Sequence, residues 1–311
     1  MAAKTAPAPT TGDRRAPLQP QANAVAPTAA EAFAYCRDYS HHYENFSVVS
    51  WFVPRRLRPH FYALYSFCRF TDDLGDEAAG DRLALLSDWE EGLRACYRGS
   101  CHHPIFVALW ETVRTFDIPI EPFLRLIEAN RLDQTVHRFP TFEDLLYYCQ
   151  RSANPVGHLV LYVMGHRDGE RQHLADHTCT ALQLANFWQD VDRDLAQDRI
   201  YIPQEDMARV GYGEAELRRR TADDAFRRLM AFEVGRTRRL FEEGRRLESL
   251  VTPRLARQLS LFRRGGLRVL DAIERQGFDV FRRRPTVSRL AKARLALSAL
   301  AGRRPWGSFG K

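Results

Sequence analysis

Two acidic stretches hold the side chains whose types and spacing could do chemistry. The first runs Arg69-Phe70-Thr71-Asp72-Asp73-Leu74-Gly75-Asp76-Glu77, the second Asn186-Phe187-Trp188-Gln189-Asp190-Val191-Asp192-Arg193-Asp194. On a helix, residues four apart share a face. Asp72 therefore points with Asp76, with Asp73 beside them, and Asp190 points with Asp194, with Asn186 one turn earlier. Like charges at that spacing weaken an isolated helix by roughly 0.2–0.5 kcal/mol per pair. A chain that does this twice, each time next to apolar residues, is expected to bind a cation there. Carboxylates with few His or Cys neighbours suit a hard, oxygen-preferring ion such as Mg²⁺, which keeps waters and bridges carboxylates to substrate phosphates. Two facing clusters thus point to a diphosphate held between metal ions. A plain solvated acidic face is the competing explanation for either cluster alone.

Other groups stand close to this pair in the pattern. Arg69 lies three residues before Asp72 on the same helix face and suits either a phosphate or a neighbouring Asp. Arg199-Ile200-Tyr201-Ile202-Pro203 closes the second acidic segment and brings a guanidinium fork, matched to phosphate oxygens, near a phenol. Tyr147 to Gly157 places small residues in a helical run, which either lets backbones approach closely or leaves room for a ligand, and Pro155 implies a kink. His41-His42 and His102-His103 lack the i, i+4 spacing and carboxylate partners of metal ligands and read as packing or surface residues. Glycine-rich phosphate loops and Ser-His-Asp or Cys-His arrangements are absent.

The elements that must position these groups read as helices throughout. The periodicity predicts helices over about 30–43, 56–76, 81–98, 104–115, 119–134, 141–165, 170–196, 213–219, 221–249, 252–276 and 286–301, punctuated by Gly and Pro. No period-2 strand stands out, so the expected fold is a single all-α domain over about 29–303, with a disordered Ala/Pro-rich arm at 1–28 and a flexible tail at 304–311. The arm has no apolar segment of a secretory signal. Hydrophobic residues make up 45% of the 311, enough for a large core, and no run of about 18 uncharged apolar residues suggests a membrane span. Six scattered cysteines without a CxxC pair read as reduced cytoplasmic thiols. The net charge of +7 is concentrated after Asp279, where Arg282 to Arg284, Arg289, Lys292 and Arg294 follow with no acid. That segment suits a membrane surface better than nucleic acid, for which neither motif nor aromatic interleaving is present.

Taken together, Arg69…Asp72-Asp73-x-x-Asp76-Glu77, Tyr148-Cys149…Gly157 and Gln183…Asn186…Asp190…Asp194…Arg199-x-Tyr201-x-Pro203 resemble the squalene/phytoene synthase family from about residue 31 to 300. The resemblance implies the all-helical isoprenoid synthase fold with a central cavity, and Mg²⁺ bound by Asp72, Asp73, Asp76, Asn186, Asp190 and Asp194. Substrate would contact Arg69, Tyr148, Ala153, Val156, Gly157, Gln183, Arg199 and Tyr201. Condensing members have Ser-x-Ser-Phe where this chain reads Tyr43-Glu44-Asn45-Phe46, and a late tyrosine about where Gly266 stands. These departures, with Ser152 to Gly157 and Arg263 to Gly266, are similar to the bacterial hydroxysqualene synthase branch. That branch implies presqualene diphosphate and water as substrates, with Tyr43, Asn45 and Phe46 in the substrate site. It also implies a functional link to a presqualene diphosphate synthase and a hydroxysqualene-reducing flavoenzyme, and peripheral contact with the inner membrane face. A head-to-head condensing synthase is the alternative within the family. A non-catalytic relative acting as an assembly factor is a remoter one, since both acidic clusters are intact.

Overall fold

Apolar side chains recur every three or four residues along most of the chain. In the computed structural model, which describes residues 26–41 and 53–286, those stretches are helices. They are α1 (Ala29–His41), α2 (Arg58–Asp76), α3 (Arg82–Tyr97), α4 (Pro104–Phe116), α5 (Glu121–Leu132), α6 (Phe142–Ser152), α7 (Asn154–Val163), α8 (Gly169–Ala196), α9 (Gln204–Arg209), α10 (Glu214–Arg218), α11 (Asp224–Gly244) and α12 (Pro253–Arg275). Single 3₁₀ turns precede α2 at Arg55–Leu57 and follow α11 at Arg245–Ser249. Among the described residues the only sheet-like pairing is one parallel bridge between Arg138 and Ile200.

Local chemistry marks the ends. Thr28 and Glu31 form a reciprocal capping box at α1, and Thr141 and Asp144 form another at α6. Asp81, Asp168 and Asp223 each accept a backbone N–H of the first turn of α3, α8 and α11. The pattern expected over 141–165 is two helices, because Pro155 cannot donate to the turn before it and the chain breaks at Ala153. The short α9 went unforeseen, since six residues carry no periodic signal. Tertiary contacts hold it: its buried Asp206 is bonded by Arg236 of α11 and by Arg209. The N-terminal arm to residue 25, Tyr43, Asn45, Phe46, the basic helix expected over 286–301 and the tail lie outside the described residues, apart from Thr286 at that helix's start.

Each acidic helix belongs to its own apolar cluster. α2 buries Phe61, Leu64, Phe67, Phe70 and Leu74 against α3, α4 and α5. The Trp89 ring of α3 lies 4.5 Å from Phe70 and 4.1 Å from Phe106, and its indole N–H donates to Thr71 at 2.9 Å. α8 buries Leu184, Trp188, Val191 and Leu195 against α11 and α12, and Trp188 donates to Thr237 of α11 at 2.8 Å. A buried indole needs such an acceptor, so each pin also fixes the rotation of the helix that carries the acids. α7 joins the halves by packing on both α8 and α2. At Gly157 an added Cβ would stand 2.6 Å from the Cys179 sulfur, so the close approach of α7 and α8 requires glycine there. His103 is buried among Phe70, Trp89 and Phe106, as a packing residue. The six cysteines are free.

Candidate active site

The C-terminal turns of α2 and α8 bring the two acidic motifs together, and Arg199 makes the link. Its guanidinium lies 3.5 Å from Asp76, across 123 residues of sequence. Arg199 follows α8 through a left-handed residue, Asp198, and its neighbour Ile200 donates its N–H to the His137 carbonyl at 2.9 Å. The chain after α8 is thereby laid along the segment after α5.

In the first motif the three aspartates have three different surroundings. Asp72 is reached by solvent but lies in a recess, where it accepts an N–H from Asn130 of α5 at 3.3 Å; desolvation pushes its carboxyl up to about 6. Asp76 is about half exposed and faces Arg199. Asp73 turns inward: it is 3% exposed, accepts the Tyr39 hydroxyl at 2.5 Å and pairs with Arg69 at 2.7 Å. Arg69 also pairs with Glu77 at 2.8 Å. The expectation that Asp73 shares the metal face with Asp72 therefore meets a different geometry. Adjacent helical residues project about 100° apart, and here the rotation of α2 gives Asp73 to α1.

In the second motif Asn186 is exposed, one turn before Asp190. Both Asp190 oxygens accept from Arg284, at 2.5 and 2.7 Å, and Arg284 also donates to Gln189 at 3.0 Å. Asp194 is half-buried; desolvation, then the nearby Asp190 charge, push it up to about 7 against the pull of Arg199, Arg193 and Arg284. Asp192 points away and pairs with Arg220. Among the described residues no three His, Cys, Asp or Glu side chains converge as ligands of one ion. Each motif instead offers a pair of carboxylate oxygens, in keeping with the way Mg²⁺ combines one or two carboxylates with waters and phosphates.

An aromatic layer lies beside the acids. Tyr201 stacks on Phe187 at 3.8 Å with the rings 6° apart, and on Phe139 at 5.5 Å. Tyr148 stands 6.0 Å from Tyr201, and its hydroxyl donates to Asp133 at 3.1 Å. Burial pushes both phenols up, and pushes Asp133 up to about 6. Gln183 lies on α8 four residues before Phe187 and is half-buried. Ala153 marks the α6–α7 break, while Val156 and Gly157 line an apolar cavity of about 410 Å³. Sequence reading missed Asp133 and Arg284. Asp133 is a lone acid after α5 with no spacing signal, and Arg284 reads in sequence as one more cation of the basic C-terminal run.

A family model described as squalene/phytoene synthase matches residues 39–291. The chain belongs to that family. A squalene synthase, HpnC from Alicyclobacillus acidocaldarius, has a crystal structure 57% identical in sequence, with a TM-score of 0.79 over 80% of this chain and 95% of that one. A dehydrosqualene synthase in complex with ligand is 26% identical, with a TM-score of 0.79 over 88% of this chain and 97% of the other. The 15-cis-phytoene synthase of Synechococcus elongatus is 33% identical over 290 residues, 86% of this chain and 93% of its own length. The chain is thus an enzyme of isoprenoid biosynthesis, in a family that acts on prenyl diphosphates through an all-helical fold.

Proposed function

We propose that this enzyme converts presqualene diphosphate and water into hydroxysqualene and diphosphate. The observation that carries the reading is the Arg199–Asp76 contact, which holds the acidic motifs together at one end of the apolar cavity. Cys68 and Leu182, in the cavity wall, lie one turn before Asp72 and Asn186. A diphosphate at the acids therefore directs its prenyl arms into that cavity.

Two features favour this branch over condensation. One is the 57% identity to squalene synthase HpnC. The other is Gly266, where an added Cβ would stand 2.3 Å from the Phe241 ring and 3.0 Å from Leu182, so no tyrosine fits that position in this packing. Tyr43 and Asn45, outside the described residues, stay candidates for shaping the water site.

Hard oxygen donors suit Mg²⁺, and a divalent cation would offset the desolvation, and for Asp194 also the neighbouring Asp190 charge, that raises Asp72 and Asp194. Asp72, Asp76, Asn186, Asp190 and Asp194 would hold it, with Asp73 supporting α2 from behind. When bound, Mg²⁺ would offset the negative charge that develops on the departing diphosphate. Arg199 turns from Asp76 to the phosphate oxygens. The carbon–oxygen bond then breaks, its electron pair leaving with diphosphate. The Tyr148 ring and the face of Phe187 turned away from Tyr201 would favour the carbocation while the cyclopropane opens. Water bonds to the cationic carbon, and its surplus proton passes to diphosphate or solvent.

The test supplies the purified enzyme and Mg²⁺ with presqualene diphosphate and with farnesyl diphosphate in separate reactions. Hydroxysqualene from the first alone supports the proposal. Presqualene diphosphate or a C40 hydrocarbon from a linear substrate supports condensation, the second reading, which the 33% identity to 15-cis-phytoene synthase favours.

The apolar product also favours a cytoplasmic enzyme touching the inner membrane face through its basic segment. No helix among the described residues is long and apolar enough to cross a membrane. Co-sedimentation with anionic liposomes should weaken for a chain ended at Pro285, a cut that keeps Arg284 on Asp190. Equal binding would rule the segment out as an anchor.

A further inference from the structure

The cavity wall holds one amide, Gln258 of α12. Gln258 is 3% exposed, and its side chain makes no hydrogen bond to protein among the described residues, although its atoms are not sealed from the cavity. A buried amide is normally paired, by protein or by water. In a wall otherwise made of groups such as Phe61, Leu64, Leu159 and Leu259, the partner left for it is a water inside the cavity. Thr178 supplies none, since its hydroxyl lies against the backbone of α11 at Gly244.

The position of this amide along the cavity gives it a use. α12 runs alongside α8 in the same direction: Gly266 meets Leu182, and Leu255 shares a cluster with Leu174 and Ala175. Gln258 lies between these levels, near Thr178, which is two turns or about 12 Å before Asn186 on α8. A prenyl arm advances about 1.3 Å per carbon–carbon bond when extended, so a C15 arm with eleven main-chain bonds spans roughly 14 Å and a C20 arm with fifteen roughly 19 Å. With its diphosphate among the acids and its first carbon level with Asn186, where the arm turns into the cavity, a C15 arm ends about level with Gln258. A C20 arm must pass it, displace the water and leave the amide unpaired against hydrocarbon.

We propose that Gln258 is a chain-length determinant that makes the site select C15 over C20 prenyl arms. This deepens the reading above by naming the arm length, and it is tested by binding, so it stands apart from which reaction the site runs. Unreactive farnesyl and geranylgeranyl thiolodiphosphates are titrated with Mg²⁺ into the wild type and Gln258→Leu, which matches the amide in size and removes its polarity. The wild type should prefer the C15 analogue by about tenfold, the scale of one lost hydrogen bond. Gln258→Leu should tighten C20 binding by a similar factor and leave C15 binding within about twofold. A C15/C20 ratio equal in wild type and variant would overturn the proposal, as would a wild type with no preference. Gln258→Met serves if the leucine variant melts markedly earlier. Failure to form hydroxysqualene from presqualene diphosphate would sink the proposed reaction and leave this ratio standing.

Discussion

The two acidic motifs share a spacing, and the molecule treats them differently. On α2 the acids are held from within the same half of the molecule: Asp72 by Asn130 of α5, and Asp73 by Tyr39 of α1 and by Arg69 one turn earlier on α2 itself. On α8 the control comes from far along the chain, where Arg284 grips both oxygens of Asp190 from beyond α12. The first motif is thus prearranged by its own half of the protein, while the second depends on how the C-terminal segment returns to the site. Both motifs assign one acid to structure, Asp73 to α1 and Asp192 to Arg220, and turn the others toward the shared space. Identical spacing guarantees a common helix face and leaves open which residue occupies it.

The contrast between Asp72 and Asp73 carries the largest expected effect. Asp72→Asn should lower kcat by roughly 10²–10³, the range for losing a group that stabilises developing charge, with little change in melting temperature. Asp73→Asn should instead cost about 1–3 kcal/mol of stability, from a disturbed buried ion pair and hydrogen bond. Its turnover per folded molecule should stay within about tenfold of wild type. Steady-state kinetics and urea denaturation separate the two. Equal inactivity at equal stability would erase the distinction and restore Asp73 to the site.

Arg284→Met tests the dependence of the second motif on the C-terminal segment. With Asp190 no longer oriented, the Mg²⁺ concentration for half-maximal activity should rise by about tenfold, as for loss of an outer partner of a ligand. A fall in that concentration would instead make Arg284 a competitor of the metal.

The smallest effect lies in pH. Asp194 is pushed up to about 7 and Asp72 to about 6, against about 3.9 in an unfolded chain. Between those values these two carboxyls bind more protons in the folded, metal-free protein than in the unfolded chain, so their contribution to stability falls as pH rises from about 4 to 7, by at most about 1.4 kcal/mol per unit for Asp194 and by less for the solvent-exposed Asp72. Asp194→Asn should flatten the slope across pH 4–7, and Asp72→Asn only across about pH 4–6. Urea titrations in chelator at pH 5 and 7 read this directly. Mg²⁺ should stabilise the wild type more at pH 8 than at pH 5, because it binds the ionised acids. A pH-independent gain would contradict the assignment of these carboxylates.

Most of the architecture was legible in the residues. Long periodic stretches such as α2, α8 and α12 carry their helical nature in the spacing of Leu and Phe, and the acids advertise their shared face by i, i+4 repetition. The short α9 was not legible, because six residues form a helix only when Asp206 finds Arg236 on another element. The break at Ala153 was half-legible through Pro155.

Helix content, the two acid pairs and the Arg199-x-Tyr201 ending follow from the sequence alone, because local periodicity and backbone geometry act within a few residues. Tertiary structure decided that Asp73 serves α1, that Asp133 receives the Tyr148 hydroxyl, that Arg284 returns to Asp190 and that Gln258 lines an apolar wall with no protein partner among the described residues. Each of those outcomes depends on the rotation of one packed helix against another, or on where a distant segment comes to lie. Close packing of the whole core fixes such rotations, and no residue's neighbours in sequence encode them.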